Sequence, residues 1–291
     1  YFNEILKLIK KTNDGFELDL KYFLHHKKKI FKINDNNQFV YKNLYTNKLY
    51  NLLGHERDIN EDISKRHIDL AKSIQSVYED VFFHILNLAH KKNKNIENLT
   101  LSGGCAMNSV ANGKILKNTK FKNIYISPNP GDAGGSVGSS LVFLKKQFNY
   151  NFNVNNYSYL GSSFTNDEIS KILIEKNLSK NFKVIFLKNE EINSLTSNNL
   201  IRGKIIGWFQ GKTEWGPRAL GNRSILADPR NPNIKDIINK KIKRRESFRP
   251  FAPSIIEEKV KEWFEETRKV PYMSEVYKIK INKRKMIPGV T

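Results

Sequence analysis

Residues 98–108 read NLTLSGGCAMN: a short apolar strand ends on two glycines, and a helix is predicted to follow at residues 106–116. The same order returns further along the chain, where a strand at 123–127 precedes the loop PNPGD and a glycine-rich helix at 133–147. Alternating strands and helices joined by short glycine loops are typical of α/β proteins. We therefore predict an α/β fold.

The segments on either side extend this pattern. Residues 1–60 read as helix followed by irregular polar chain, and apolar residues at helical spacing predict one long helix over about 64–92. Thr165 and Glu168 form a capping-box pattern that predicts the start of a further helix. Strands are also predicted at 182–187, 204–209, 223–227, 251–256 and 276–281, with a helix at 234–242.

An asparagine-rich segment at residues 148–160 interrupts the alternation and has no helical period. Polar segments of this kind commonly connect folded units. We predict two α/β domains, residues 1–155 and 156–291. The chain begins without Met and ends soon after a strand-like run, so we expect it to be truncated at both ends.

The composition limits the class of protein. The single cysteine excludes an intrachain disulfide and favours a cytoplasmic protein. No apolar run approaches the ~20 residues that span a bilayer, so we predict no membrane partner. The formal charge of +21 leaves a nucleic-acid partner open, or compositional drift combined with a small anionic substrate. Lysine is spread along the chain instead of gathered on one helix, which favours the second interpretation.

The first glycine loop is a candidate ligand site. Gly103 and Gly104 end the strand, and Asn108 lies in the first turn of the helix that follows. Backbone N–H groups at such a helix start can contact a phosphate or a ribose. The alternative is a tight strand–helix turn in which the glycines supply only positive φ angles.

The second loop places Gly131 and Gly134 around Asp132. Asp132 is expected either to cap the helix or to act as a metal ligand or an acid facing a hydroxyl substrate. Two strand–loop–helix units in one domain commonly form two sides of a nucleotide cleft, which favours the functional interpretation.

Basic residues are concentrated in two segments of the second half, 211–230 (GKTEWGPRALGNRSILADPR) and 241–253. Arginine forms bidentate contacts with phosphate oxygens, and lysine supplies a point charge. A nucleic-acid surface or a solvated basic face is the alternative, but interleaved prolines and apolar residues favour a walled site for a small anion. The cations are Lys212, Arg218, Arg223 and Arg230 in the first segment, and Lys243, Arg244, Arg245 and Arg249 in the second.

Together these motifs resemble the O-carbamoyltransferase family, which includes nodulation-factor and antibiotic-tailoring enzymes. Residues 207–230 resemble its signature, 245–254 its second block, and 102–113 and 130–135 the blocks of its first domain. Segments at 54–57 and 66–75 extend the resemblance, which therefore covers nearly the whole chain in order.

The resemblance implies a first domain of the actin/Hsp70-type ATPase fold and a YrdC-like second domain. It implies that carbamoyl phosphate and ATP form carbamoyl-adenylate in the YrdC-like domain. The carbamoyl group is then expected to pass to a hydroxyl of a sugar or natural product. The implied cofactors are ATP, Mg(II) bound with it, and an iron-type metal, Fe(II). A homodimer is the expected assembly.

The resemblance also assigns residues. Asp132 matches the metal-binding Asp of the family. The expected adenylate contacts are Gly103, Gly104, Asn108, Gly131 and Gly134. The expected catalytic residues, which neutralise phosphate charge, are Lys212, Arg218, Arg223, Lys243 and Arg249.

One departure from the family concerns the metal. The paired metal histidines of the family are not found in this sequence, and the family continues after the Pro-Gly-Val-Thr segment into a further block with a functional Arg. We therefore expect part of each active site to be missing and the fragment to be inactive by itself. Two alternatives stay open: a relative that makes threonylcarbamoyl-adenylate for tRNA modification, and a basic nucleic-acid-binding protein.

Overall fold

The computed structural model describes residues 1–27, 29–151 and 158–291. Within them the chain is mixed α/β, with one long helix, shorter helices and strands of three or four residues. The α-helices are α1 Phe2–Leu6, α2 Asn47–Leu53, α3 Lys65–Lys92, α4 Ser109–Asn112, α5 Ile115–Asn118, α6 Gly134–Phe148, α7 Asn166–Glu175, α8 Asn189–Ile201, α9 Ile234–Ile237, α10 Val260–Trp263 and α11 Ile281–Arg284. The strands are β1 Ile9–Lys11, β2 Phe16–Leu18, β3 Phe31–Ile33, β4 Phe39–Tyr41, β5 Asn98–Leu101, β6 Asn123–Ile126, β7 Ile206–Phe209 and β8 Arg223–Leu226.

The strands of the described residues pair two by two, as β1–β2, β3–β4, β5–β6 and β7–β8. β1–β2, β3–β4 and β7–β8 are antiparallel. In β7–β8, Ile206 lies opposite Leu226 and Phe209 lies opposite Arg223. The α/β class is confirmed in this coarse form, with small sheets.

Four of the predicted strands are confirmed, as β5, β6, β7 and β8. The strands predicted at 182–187, 251–256 and 276–281 are wrong, because these residues form no strand. Phe182 and Phe186 are 65% and 78% exposed, so the apolar run at 182–187 has no sheet face to bury. The irregular chain predicted for residues 1–60 is also wrong in part, because it contains β1 to β4.

The long helix and the glycine-rich helix are confirmed as α3 and α6. Thr165 and Glu168 form the predicted capping box, with reciprocal hydrogen bonds of 3.2 Å and 2.7 Å at the start of α7. The helix predicted at 106–116 is broken into a 3₁₀ turn, Gly104–Met107, and then α4 and α5. The helix predicted at 234–242 begins as α9 and continues as a π-helical segment, Ile238–Lys243.

The chain divides into two compact units, residues 1–99 with 114–123, and residues 100–113 with 124–291. The predicted division into residues 1–155 and 156–291 stays a prediction. The boundary near residue 155 lies outside the described residues.

The core of the first unit is formed where α1 packs against the apolar side of α3. Ile5, Val77 and Val81 are buried there. Around them pack Leu6, Leu8, Ile9, Leu53, Leu70 and Ile85. Lys11 Nζ of β1 donates to Asp80 Oδ1 of α3 at 2.9 Å. The apolar side of α3, which its amphipathic spacing creates, therefore supplies most of the packing surface of this core.

The second unit buries side chains that come from widely separated segments. They are Ala106, Ala111, Ile126, Ile234, Ile238, Tyr272, Ile279 and Ile287. Asn112 and Asn239 are also fully buried, with relative exposures of 0%. The Nδ2 group of each donates to two backbone carbonyls, so both side chains organise the backbone around them.

None of the helices in the described ranges combines the length and the apolar character that a bilayer crossing requires.

Candidate functional site

The two glycine loops predicted from the sequence lie against each other. The backbone N–H of Gly103 donates to the carbonyl of Pro130 at 2.7 Å. Gly103 has φ +95°, a backbone conformation that residues with a Cβ atom rarely adopt. A Cβ on Gly131 would lie 3.5 Å from Cε of Met107, an ordinary contact. The loop after β5 and the loop after β6 therefore form one surface.

A third loop, the signature segment at 213–221, packs against the same surface. Gly216 has φ +117°, and a Cβ there would lie 2.6 Å from the carbonyl oxygen of Pro128. A Cβ on Gly134 would lie 3.9 Å from the Trp215 ring. Only glycine allows the backbones at Pro128 and Gly216 to approach this closely. Segments more than 80 residues apart in the sequence are thus brought together.

The carboxylate of Glu214 organises the signature loop from within. Its Oε1 accepts backbone N–H groups from Leu220 at 2.7 Å, Asn222 at 2.8 Å and Arg223 at 3.1 Å. Burial raises the pKa of Glu214, but these backbone donors outweigh burial and hold the pKa below its usual 4.5. Glu214 is therefore an ionised internal anchor of the loop.

A short segment at residues 158–162 holds the other side of the signature loop. Thr213 N–H donates to the Ser162 carbonyl at 2.9 Å, and Gly161 N–H donates to the Thr213 carbonyl at 3.0 Å. The Tyr159 hydroxyl donates to the Leu220 carbonyl at 2.9 Å. The loop is consequently fixed near both of its ends.

The five basic residues predicted to be catalytic fall into two groups. The side chains of Lys212, Arg218 and Lys243 are exposed and have no hydrogen-bond or ion-pair partner among the described residues. Arg249 Nε instead lies 2.8 Å from Glu246 Oε2. The first three can meet an added anion without first breaking a contact.

Arg223 is committed to the protein itself. Its Nη1 donates to the carbonyls of Gln210 and Asn222 at 2.6 Å and 3.0 Å, and its Nη2 donates to the Gly211 carbonyl at 3.2 Å. Its guanidinium also lies 3.5 Å from the centre of the Phe209 ring, a cation–π contact. A phosphate would have to compete with these carbonyls, and the prediction that Arg223 contacts one stays a prediction.

The second basic segment is held by Asn239. Its Nδ2 donates to the carbonyls of Ser247 at 3.2 Å and Arg249 at 2.9 Å, and its Oδ1 accepts Arg245 Nε at 2.7 Å. Arg245 also lies over the Phe251 ring at 4.9 Å. Arg244 adopts φ +48°, which turns the chain at the end of the π-helical segment. One buried amide thus sets the course of residues 244–249.

The remaining predicted contacts are placed as follows. Asn108 Oδ1 accepts the Ala111 N–H at 3.1 Å, so this side chain caps α4. A Cβ on Gly104 would meet nothing within 4 Å, which leaves its backbone accessible. Asp132 is exposed at the start of α6. Among residues 1–27, 29–151 and 158–291, no group of three or more His, Cys, Asp or Glu side chains is arranged to hold a metal ion.

Residues 272–277 contribute a further buried contact beside the first glycine loop. Asn112 Nδ2 donates to the carbonyls of Ala106 at 2.8 Å and Ser274 at 2.9 Å. The Tyr277 hydroxyl donates to Glu275 Oε2 at 2.6 Å, and burial, more than this bond, raises the pKa of Tyr277. The segment therefore holds α4 through the hydrogen bond between Asn112 and Ser274.

Sequence reasoning missed Glu214, Asn239 and Asn112 as organising side chains. The signal for Glu214 in the sequence is an acid among the four cations and three glycines of residues 211–230. Asn239 and Asn112 carry no comparable signal, because asparagine is abundant everywhere in this sequence.

Comparison with known proteins gives an independent view. Residues 7–141 match the family model for the carbamoyltransferase N-terminus, and residues 197–291 match that for the carbamoyltransferase C-terminus. An uncharacterized protein of Synechocystis is 43% identical over 235 residues, which are 78% of this chain and 38% of that protein. Nodulation protein NolO of Bradyrhizobium diazoefficiens is 36% identical over 233 residues, which are 78% of this chain and 42% of that protein. Nodulation protein NolNO of Sinorhizobium fredii is 34% identical over 242 residues, 78% of this chain and 34% of that protein.

The chain thus spans 34–42% of the length of these curated relatives. Both glycine loops lie within the first matched region, residues 7–141, and the signature loop lies within the second, residues 197–291. Since two models of one family match in order over most of the chain, and since the loops they contain pack together, the chain belongs to the carbamoyltransferase family.

Proposed function

We propose that this chain is part of an ATP-dependent O-carbamoyltransferase. In the proposed first reaction, carbamoyl phosphate, water and ATP give carbamoyl-adenylate, phosphate and pyrophosphate. In the second, a hydroxyl oxygen of a sugar or natural-product acceptor attacks the carbamoyl carbon, and AMP leaves. The observation that carries the proposal is the packing of the signature loop against the glycine loop at Pro128–Gly134.

The exposed cations have a direct role in the first reaction. Lys212, Arg218 and Lys243 have no carboxylate partner among the described residues, and each can therefore neutralise phosphate oxygens. Charge that develops on the departing pyrophosphate is stabilised most by cations that are already in place. Arg218 is the strongest candidate, because it sits in a loop that is hydrogen-bonded on both sides.

The glycine loops suit the adenylate. The backbone at Gly103, Gly104, Gly131 and Gly134 carries no side chain that would exclude a phosphate or a ribose. The N–H groups of Gly103 and Gly134 already donate to the carbonyls of Pro130 and Gly131, so the proposed N–H donors to an anion are those of Gly104 and Gly131. Asn108 is a weaker candidate, because its side-chain oxygen already accepts a hydrogen bond from Ala111. It stays in the proposed set.

The proposed Fe(II) site does not fit the described residues alone. Asp132 offers one carboxylate, while a metal site requires further ligands, and the described residues contain no suitable group of three. We therefore assign no reaction step to a metal. Mg(II) is proposed only as the usual companion of ATP.

The finer fold is also part of the proposal. We propose an actin/Hsp70-type fold for the domain that contains the first matched region and a YrdC-like fold for the domain that contains the second. A homodimer in the cytoplasm is the proposed state of the full-length protein. The single cysteine supports a reducing compartment.

The test measures pyrophosphate release by the full-length protein with ATP and carbamoyl phosphate. We expect release to depend on carbamoyl phosphate, and Arg218→Ala to lower kcat/KM roughly 100-fold, the range seen when one preorganised charge-stabilising group is removed. Transfer from supplied carbamoyl-adenylate to an acceptor should persist in Arg218→Ala.

Arg202→Ala is the matched control, because Arg202 is an exposed arginine at the end of α8. A folded wild-type protein that releases no pyrophosphate would refute the proposed function. If Arg218→Ala lost both half-reactions with the fold intact, the assignment of Arg218 to adenylate formation would be wrong.

A further inference from the structure

The signature loop contains an acid that faces inward. One oxygen of Glu214 accepts three backbone N–H groups, and the donors at Leu220, Asn222 and Arg223 all lie six to nine residues further along the chain. Hydrogen bonds to an ionised acceptor are about twice as strong as neutral ones. The carboxylate thus joins the two ends of residues 214–223 and holds them as a closed loop.

Arg218 lies within this closed segment. Its guanidinium is exposed and has no partner among the described residues, so its own contacts do not hold it in position. Gly216 at φ +117° and Gly221 at φ +106° bend the chain on either side of it. The position of Arg218 therefore depends on the closure of the loop that carries it.

Other contacts hold the ends of the loop but do not replace Glu214. The Tyr159 hydroxyl donates to the Leu220 carbonyl at 2.9 Å, and Gly221 N–H donates to Ser224 Oγ at 3.0 Å. Neither contact offers an acceptor to the N–H groups of Leu220, Asn222 or Arg223. Removal of the carboxylate would leave three partly buried donors without their acceptor.

We propose that Glu214 is the positioning residue for Arg218: its carboxylate closes the loop and so holds the guanidinium at the anion site. The proposed role runs through the loop, because the oxygen of Glu214 that makes these bonds is occupied by three backbone donors. This inference rests on the proposed function, in which Arg218 neutralises phosphate charge.

The test is a double-mutant cycle on the full-length protein, with kcat/KM for carbamoyl-phosphate-dependent pyrophosphate release as the readout. Glu214→Ala should lower kcat/KM about 100-fold, the loss typical of a group misplaced by about 1 Å. In an Arg218→Ala background the same change should cost less than about threefold, because residues that act through one another are not additive.

Glu214→Gln retains an acceptor oxygen on the same side-chain frame, so it should recover about tenfold of the activity lost in Glu214→Ala. Glu190→Ala is the matched control, because Glu190 is an exposed carboxylate in the first turn of α8. It should leave kcat/KM unchanged.

The outcomes separate the two claims. Wild-type protein that releases no pyrophosphate refutes the proposed function, and the positioning role with it. Active wild-type protein in which Glu214→Ala has no effect, or in which the losses from Glu214→Ala and Arg218→Ala add fully, refutes the positioning role alone. If Glu214→Ala does not fold, the cycle is run with Glu214→Gln, where additive losses have the same meaning.

Discussion

At the scale of single residues, two arginines of the same segment have opposite surroundings. Arg218 is exposed without a partner among the described residues, whereas Arg223 donates to the carbonyls of Gln210, Gly211 and Asn222. Arginine supplies five donors in a planar fork, so it can serve several carbonyls at once. The geometry indicates that Arg223 stabilises the strand pair β7–β8, whereas Arg218 makes no such contact with the described residues.

Arg223→Lys tests this division. A lysine ammonium lacks the planar fork and cannot reproduce both the carbonyl contacts and the stacking on Phe209. We expect the free energy of unfolding to fall by about 1–3 kcal/mol, as measured by urea denaturation. Arg202→Lys, at an exposed position of α8, should change it by less than about 0.5 kcal/mol. Unchanged stability with lost pyrophosphate release would instead make Arg223 a phosphate ligand.

At the scale of structural elements, the contact between the signature loop and the Pro128–Gly134 loop depends on glycine. Gly216→Ala introduces a Cβ 2.6 Å from the Pro128 carbonyl oxygen, at φ +117° where alanine is strained. We expect a loss of about 1–3 kcal/mol in the free energy of unfolding and faster amide hydrogen exchange in residues 128–135.

Gly207→Ala in β7 is the control for that change. A Cβ at Gly207 meets nothing within 4 Å, and its φ lies outside the positive range. We expect the free energy of unfolding of Gly207→Ala, and its amide hydrogen exchange rates in residues 128–135, to match those of the wild type. Equal effects of the two substitutions would mean that the close approach at Gly216 does not hold the loops together.

The same scale shows what local sequence can predict. β5 and β6 were predictable because each is an apolar run that ends in a loop of glycine or proline, and α3 because its apolar spacing extends along most of its 28 residues. The run at 276–281 resembles a strand in sequence, but it forms a single bridge, Ile279 opposite Phe264, while the Val276 N–H donates to the Ser109 carbonyl and Ile281 begins α11. Pairing partners decide whether a run becomes a strand, and they lie far away in the sequence.

The candidate site was predictable to a similar extent. Its glycines and cations could be proposed from the sequence because their chemistry is local, and their contact with a ligand stays a prediction. The anchoring roles of Glu214 and Asn239 were not, because each depends on backbone groups six to ten residues away that converge only in the folded chain. Likewise, the sequence does not show which cations are exposed and which are bound within the protein, because that depends on the carbonyls and carboxylates that lie close to each cation in the folded chain.

At the scale of the whole molecule, the formal charge of +21 supports a competing function, the binding of nucleic acid. The two functions assign different importance to the same cations. Binding to a nucleic-acid backbone sums over many spread lysines, so the loss of three should weaken it only moderately. A carbamoyl phosphate and ATP site depends on the few cations that face the anion.

The triple substitution Lys212→Ala, Arg218→Ala and Lys243→Ala separates these functions, because it lowers the formal charge only from +21 to +18. We expect pyrophosphate release by the full-length protein to fall below detection. RNA binding by the wild type, measured by fluorescence anisotropy, should be weak and should decline steeply with salt concentration. The triple substitution should lower the slope of log affinity against log salt concentration by about three units at most.

A matched triple variant at Lys91, Lys92 and Lys94, in and after the end of α3, removes the same charge and should keep full pyrophosphate release. Two results together would make nucleic acid the ligand. The wild type would bind RNA tightly at physiological salt and release no pyrophosphate, and both variants would weaken RNA binding equally.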